Sequence, residues 1–333
     1  MLTLSICIPS YNRFEQLRLT VKNILKSNSQ DFEIVIVDNC SPRNIYDYIH
    51  EKDPRLRIVK RITPVYGAQN VLDCIFYGNG EYSMILLDKD SLEGKFLNDF
   101  IRCLKNWELA GGYCVLNSIN TIAQVYKKNR ILNFGFLSKH PSGNFYRMSI
   151  LKTYVESHIS ILEKDPFSFD FCLAYCAYKG DMLYYDKSLV NSNLCNFSSS
   201  QTSLTFSKNK NNLFYHPSNI ISEFKNYIEN LNEFDLERNY RILVVCSLYK
   251  RNMKNITIGY RNIMKNIDIC KHYHHKTENV SLIQMLLYAI NLRNCFYEVD
   301  VRDLNLKDKF KIEFILFFTF IKKFIMKIIM KMV

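Results

Sequence analysis

From residue 2 to residue 94, short apolar runs rich in β-branched residues alternate with segments whose apolar residues fall three and four apart. Residues 2–8, 32–37, 56–60 and 82–87 read as strands. Residues 14–26, with Leu17, Val21, Ile24 and Leu25 at helical spacing, read as a helix, as do 45–50 and 71–77, and 63–70 reads as a loop. Parallel neighbours need a crossover connection, which a helix supplies compactly, so this alternation predicts an α/β fold with a mostly parallel, Rossmann-like sheet covered on both faces. The strands are near-continuous apolar runs, as strands buried on both faces are.

Polar residues gather where these strands stop. The first ends in Pro9-Ser10-Tyr11-Asn12-Arg13, the second in Asp38-Asn39-Cys40-Ser41-Pro42, and the fourth in Asp88-Lys89-Asp90. Open α/β sheets bind ligands outside the carboxyl ends of their strands. Two carboxylates one residue apart can hold a hard divalent cation, Mn2+ or Mg2+, that carries a diphosphate. Residue by residue, bland readings stand beside this one: a solvated turn for Asp88 and Asp90, a helix cap for Asp38, and ordinary core for Tyr11. No Gly-x-Gly-x-x-Gly or Gly-Lys-Ser/Thr loop occurs here, so dinucleotide oxidoreductases and P-loop enzymes lose their usual signature.

The chain has 333 residues, enough for one large domain or two smaller ones. Its 44 Lys and Arg against 32 Asp and Glu give a formal charge of +12, which favours an anionic partner: nucleic acid, an anionic lipid surface or a phosphorylated substrate. Eleven cysteines, none in a Cys-x-x-Cys pair, read as reduced thiols of a cytosolic protein. Residues 1–9 lack the pattern of a secretory leader.

Beyond the first strands, residues 114–116 and 123–126 read as strands, 134–147 as a loop, and 150–158 as a helix. Asp165 and Asp170 introduce a helix running through Ala177, which Lys179-Gly180 ends before another strand. Residues 191–203 read as a loop and 208–212 as a polar connector. Segments 218–231, 236–249, 253–264 and 280–295 carry helical spacing. The expected division is 1–215, 216–300 and a basic tail, 301–333. His272, His274 and His275 have no nearby Cys and read as a polar surface. In the tail, Lys322, Lys323, Lys327 and Lys331 punctuate a run of Ile, Phe and Met whose longest uncharged stretch, 314–321, is far short of a bilayer span. An amphipathic helix lying in a membrane interface is expected, against a terminal helix docked on the protein's own core.

Taken together, Pro9-Ser10-Tyr11-Asn12, Val37-Asp38-Asn39-Cys40-Ser41, Gly67-Ala68-Gln69-Asn70 and Gly80-Glu81-Tyr82 followed by Asp88-Lys89-Asp90 resemble the family 2 glycosyltransferases of GT-A fold. The resemblance covers about residues 1–100. It departs where Asn44, Gln69 and Ser91 replace residues common in the family, each of them a possible nucleotide contact. It implies a metal-dependent enzyme taking a nucleotide-sugar donor. Pro9, Tyr11 and Asn12 would contact the nucleotide, Asp38 the base, Asp88 the ribose or metal, and Asp90 the metal directly. An inverting transfer needs a carboxylate to take the acceptor's proton. The resemblance puts Asp170 in that role, with Asp165 second; a retaining outcome would remove it. It further implies O-antigen, lipopolysaccharide or capsule synthesis on an undecaprenyl-diphosphate-linked glycan, by a peripheral enzyme at the cytoplasmic face of a bacterial inner membrane. Size and layout are similar to abequosyltransferases, which use a CDP-activated dideoxyhexose. The alternative is a non-catalytic basic module for nucleic acid. No aromatic-basic sheet motif or zinc-finger spacing supports it, so no nucleic-acid partner is expected.

Overall fold

Strands β1 (Leu4–Ser10) and, after helix α1 (Phe14–Ile24), β2 (Phe32–Asp38) are buried at every position, as mostly apolar runs are, and the buried Ser5 hydroxyl donates to the buried Glu33 at 2.7 Å. The computed structural model describes residues 2–65, 67–134, 140–162, 168–192, 216–267, 270 and 276–332. It forms two compact units, Met1–Lys208 and Asn209–Val333.

The first unit continues with β3 (Leu56–Lys60), α2 (Gly67–Cys74), β4 (Tyr82–Ile85), β5 (Ser91–Leu92) and α3 (Gly94–Asn106). Helix α1 turns Phe14, Leu17, Val21 and Ile24 inward, and α3 turns in Leu97, Phe100, Ile101 and Leu104. These meet Leu4, Ile6, Ile8, Ile34, Ile36 and Met84 in one core, where each large apolar side chain contributes about 1.5–3 kcal/mol by leaving water. Helix α2 starts at Gly67, inside the stretch expected to be loop, and gives way to a 3-10 turn at Ile75–Tyr77. Arg61 explains the early start: its guanidinium donates to Asn70 Oδ1 at 2.9 Å and pairs with Asp73 at 2.7 Å, tying the end of β3 to the helix. Residues 45–50 form only a 3-10 turn, Ile45–Asp47.

Then follow β6 (Leu109–Leu116), β7 (Thr121–Tyr126), α4 (Ile131–Phe134), β8 (Asn144–Arg147), α5 (Met148–Leu162), α6 (Ser168–Lys179) and β9 (Asp181–Asn191). The sheet runs β3-β2-β1-β4-β8-β6-β9-β5, with β7 also on β9. Strands β3, β2, β1 and β4 are mutually parallel, and so are β6 and β9. Strand β8 lies antiparallel between β4 and β6, where the sequence reading expected loop. Its four residues are too few to display a period. Tertiary contacts make the strand: the Phe145 ring meets Phe100 edge-on at 5.2 Å, and the Tyr146 hydroxyl donates to Phe169 O at 3.0 Å.

The second unit begins with α7 (Pro217–Leu231), which has proline in its first turn and a His216 side chain accepting from Ser218 N at 3.3 Å. Helix α8 (Arg238–Lys254) does not break where two separate helices were expected. It passes through a π-helical turn, Asn255–Gly259, into α9 (Tyr260–Lys265). Buried Arg241 donates to the carbonyls of Leu231 and Phe234 at 2.9 and 2.6 Å, satisfying the end of α7. Helix α10 (Leu282–Glu298) opens with a Ser281/Gln284 capping box. The first turns of α11 (Leu306–Met332) are fastened to it. Lys309 Nζ donates to Val299 O at 2.5 Å, and buried Glu313 accepts from Arg293 and Tyr297. His272, His274 and His275 lie outside the described residues.

Candidate active site

Because β1, β2 and β4 are parallel neighbours, their carboxyl ends deliver Pro9 to Asn12, Asp38 and Asp88 to Asp90 to one edge of the sheet. Pro9 pairs with Val37, and Ser10 with Asp38. Asp38 is fully buried. One of its oxygens accepts from Ser41 N at 3.2 Å and from the Ser41 hydroxyl, closing a local turn, while Oδ2 has no hydrogen-bond partner among the described residues. Asp38 does not cap the 3-10 turn that follows, where Asn44 stands at the N-cap. Asn39 exchanges two hydrogen bonds with the backbone of Val65, at 2.8 and 2.9 Å, and so holds a second loop beside the same edge. Tyr11 is half-buried, not core; burial, with Asp38 and Cys40 nearby, raises its hydroxyl pKa.

The turn after β1 is held from the β2 side. Asn12 adopts a left-handed conformation, φ 56°, which asparagine tolerates better than most residues. Its N–H donates to Ser41 Oγ at 2.8 Å. Arg43 donates to Asn12 O and Oδ1 at 2.6 and 2.5 Å while its guanidinium lies 4.9 Å from the centre of the Tyr48 ring.

Asp88 and Asp90 have different surroundings. Asp88 accepts from Arg13 Nη1 and from Tyr11 N–H, both at 3.2 Å, and burial raises its carboxyl pKa against the pull of Arg13. Asp90 is fully buried. Its Oδ2 accepts from Ser142 Oγ at 2.5 Å, and His140 Nε2 stands 3.4 Å away. Burial pushes the imidazole down to about 4 in spite of Asp90, so it is neutral at ordinary pH. Among the described residues no group of three or more His, Cys, Asp or Glu forms a metal cage. Asp88 and Asp90 by themselves offer the kind of oxygen donor that Mg2+ or Mn2+ takes alongside a diphosphate.

Gly143 holds this arrangement together. Its N–H donates to Ile85 O and its carbonyl accepts from Cys114 N, both at 2.9 Å, at φ +91°. An added Cβ would lie 2.6 Å from Cys114 O. Gly143→Ala is therefore expected to cost about 1–3 kcal/mol. It should also loosen Ser142 from Asp90. Urea denaturation checks the first effect, and wild-type stability would refute it.

Asp170 is buried in the first turn of α6, close enough to Tyr113 and Tyr146 to act on both electrostatically. Burial, with Cys114, Tyr184 and Asp170 adding to it, pushes the Tyr113 hydroxyl up to about 12. Tyr113 pairs with Asn144, two residues beyond Ser142. Asp165, the second choice for the base, lies outside the described residues.

Four residues escaped the sequence reading. Arg13 and Arg43 carried no assigned role, because a carboxylate or a left-handed carbonyl across the turn leaves no trace in spacing. His140 and Ser142 sit in a stretch read as loop, about fifty residues from Asp90. Their only signal was the Pro141 and Gly143 that bracket Ser142.

Residues 5–106 match the model of the family "Glycosyl transferase family 2". No curated protein sequence matches the chain. Among solved structures, residues 1–349 of S. aureus TarS superpose with a TM-score of 0.59 at 14% identity, covering 90% of this chain and 83% of that one. The same protein solved with UDP-GlcNAc gives 0.55 at 13%, covering 90% and 93%. The mannosyltransferase PcManGT of Pyrobaculum calidifontis, solved with GDP-Man and Mn2+, gives 0.51 at 10%, covering 87% and 85%. At such identities the likeness establishes the fold, which is GT-A; the family match over the first strands makes the chain a glycosyltransferase.

Proposed function

We propose that this glycosyltransferase seats a nucleotide-sugar donor across the carboxyl ends of β1, β2 and β4 and transfers its sugar to a hydroxyl of a lipid-linked glycan. The observation that carries the donor reading is Asp38, buried at the end of β2 with one oxygen unpartnered among the described residues, beside Asp88 and Asp90 on the next strand but one. That oxygen is suited to accept an N–H from a base, while Tyr11 and Asn12 line the approach of the nucleotide. Asp90 and Asp88 would hold Mn2+ or Mg2+, which supplies positive charge to the diphosphate as the nucleotide leaves. Asp170 takes the proton from the attacking acceptor hydroxyl. The ligands named for the neighbours, UDP-GlcNAc in TarS and GDP-Man with Mn2+ in PcManGT, support a donor of this class. A CDP-activated deoxyhexose such as CDP-abequose, used in O-antigen, lipopolysaccharide or capsule synthesis, is the finer reading that layout favours. Thermal-shift measurements with UDP, GDP, CDP and dTDP, with and without Mn2+ or Mg2+, test the assignment. One nucleotide should raise Tm in a cation-dependent way; no response to any of the four would overturn it.

The acceptor reading rests on α11. Among the described residues no helix is long and apolar enough to cross a membrane. Phe310, Phe314 and Phe318, spaced four apart and each about half exposed or more, form one face, with Lys307 and Lys311 exposed beside them. Such a helix suits the cytoplasmic surface of an anionic bilayer, where each lysine near the headgroups contributes about 1 kcal/mol. Buried Lys309, Ile312 and Glu313 belong to the fold, so the informative truncation falls after Glu313. Removing residues 314–333 should release the protein from anionic vesicles and slow transfer to a lipid-linked acceptor, leaving a short soluble acceptor unaffected. Equal loss on both acceptors would refute the surface role.

A further inference from the structure

We infer that Arg43 is a positioning residue for the donor: it holds the left-handed turn at Asn12 and through that turn sets the nucleoside half of the site, without touching the diphosphate. This rests on the reading of Pro9 to Asn12 and Asp38 as the nucleotide site. A guanidinium has five N–H groups to donate, and Arg43 makes five hydrogen bonds to protein acceptors. Nε donates to Asn12 Oδ1 at 2.5 Å, and Nη2 to Asn12 O at 2.6 Å and Glu15 Oε2 at 3.3 Å. Nη1 donates to Glu15 Oε1 at 2.6 Å and to the Tyr48 hydroxyl at 3.0 Å. The guanidinium carbon lies 4.9 Å from the centre of the Tyr48 ring and 5.6 Å from that of fully buried Phe14, so the fork is seated on the core. An arginine committed in this way, with its charge met by Glu15, has no N–H left to offer a phosphate.

What the fork holds is the residue of the turn whose backbone most needs holding. At φ 56°, Asn12 occupies a region that persists for a residue with a side chain only where its surroundings over-determine it. Its carbonyl and its side chain go to Arg43, and its N–H donates to Ser41 Oγ at 2.8 Å. Ser41 in turn gives both its N–H and its hydroxyl to Asp38 Oδ1. One chain of hydrogen bonds therefore runs from Arg43 through Asn12 and Ser41 to Asp38, and it fixes the carboxylate whose Oδ2 has no hydrogen-bond partner among the described residues. The carboxylates assigned to the cation have other supports, Ser142 for Asp90 and Arg13 for Asp88. The consequence of losing Arg43 therefore falls on the nucleoside and not on the diphosphate.

Calorimetry in the presence of Mn2+ tests this with UDP, GDP, CDP and dTDP, their monophosphates and inorganic pyrophosphate, in wild type, Arg43→Met, Arg43→Lys, Asn12→Gly and the Arg43→Met, Asn12→Gly double variant. For the nucleotide that wild type binds, Arg43→Met should weaken diphosphate and monophosphate by the same factor, about tenfold, and leave pyrophosphate within about twofold. Arg43→Lys keeps the charge and loses the fork, so it should recover little of that loss. Glycine adopts positive φ without help, so adding Arg43→Met to Asn12→Gly should cost less than about threefold further. A general loss of stability would not produce that rescue. Equal weakening of pyrophosphate would make Arg43 a phosphate ligand, and full affinity in Arg43→Lys would make its charge the operative feature; either result overturns the inference. So does an undiminished cost in the Asn12→Gly background, which places the effect at Glu15 or Tyr48 and not at the turn. Circular dichroism checks folding, and if Arg43→Met fails to fold, Arg43→Lys alone and with Asn12→Gly reads the same coupling. Should wild type bind none of the nucleotides, the donor-site reading itself falls; a nucleotide bound equally by wild type and the Arg43 variants overturns this inference alone.

Discussion

An Asp90→Asn variant is expected to lose transfer by about a thousandfold or more and to lose the cation-dependent part of nucleotide binding. The fold should survive. Asn has the shape of Asp, and its carbonyl oxygen can still accept the Ser142 hydroxyl that now reaches Asp90 Oδ2 at 2.5 Å. What disappears is the negative charge in a fully buried position, where it attracts a cation more strongly than in water. The Asp90 backbone carbonyl accepts from Thr20 Oγ1 at 2.9 Å, which keeps the segment in place whatever the side chain. Measurement of kcat/KM, and of nucleotide Kd with and without Mn2+, reads the effect; circular dichroism reads the fold. Full activity in the variant, or in excess chelator, would remove Asp90 from the cation site.

The second large effect is expected at Asp170. If this carboxylate takes the acceptor's proton, Asp170→Asn should lower kcat by about a thousandfold, within the usual range for loss of a general base. Donor affinity should stay within about twofold, since uniform binding and transition-state chemistry separate in this way. Asp170 lies in the first turn of α6, the end of a helix at which a negative charge is favoured. It is also buried against Tyr113 and Tyr146, so a purely structural role has its own signature. Parallel loss of donor binding and of thermal stability would assign Asp170 to the fold, and the base would have to be sought elsewhere.

The alternation of runs along residues 2–94 was sufficient for the parallel part of the sheet, because β1, β2 and β4 are buried apolar runs and α1 is long enough to show its period. The same run of residues placed Asp38, Asp88 and Asp90 at strand ends. Parallel pairing then puts strand ends on one edge without any further information, which is why Pro9, Tyr11 and Asn12 join them in the structure. The helices at 218–231 and 280–295 were legible from their apolar spacing, and the proline that opens α7 and the serine and glutamine that cap α10 fix their starts in the structure.

Tertiary structure alone decided the rest. Strand β8 exists because Phe145 and Tyr146 find partners on α3 and α6, and four residues carry no period of their own. The continuous passage from α8 to α9 depends on a π-turn in which Thr257 Oγ1 returns to Met253 O at 2.6 Å. The tail divides at Glu313 because Arg293 and Tyr297, on another helix, hold that carboxylate, whereas composition treats the whole segment as one amphipathic stretch. In the site, the carboxylates were visible but their partners were not. Arg13 reaches Asp88 across 75 positions of sequence and Ser142 reaches Asp90 across 52. Periodicity records which face of an element is apolar, whereas a hydrogen bond between distant loops depends on where the fold brings them, and only the folded chain contains that information.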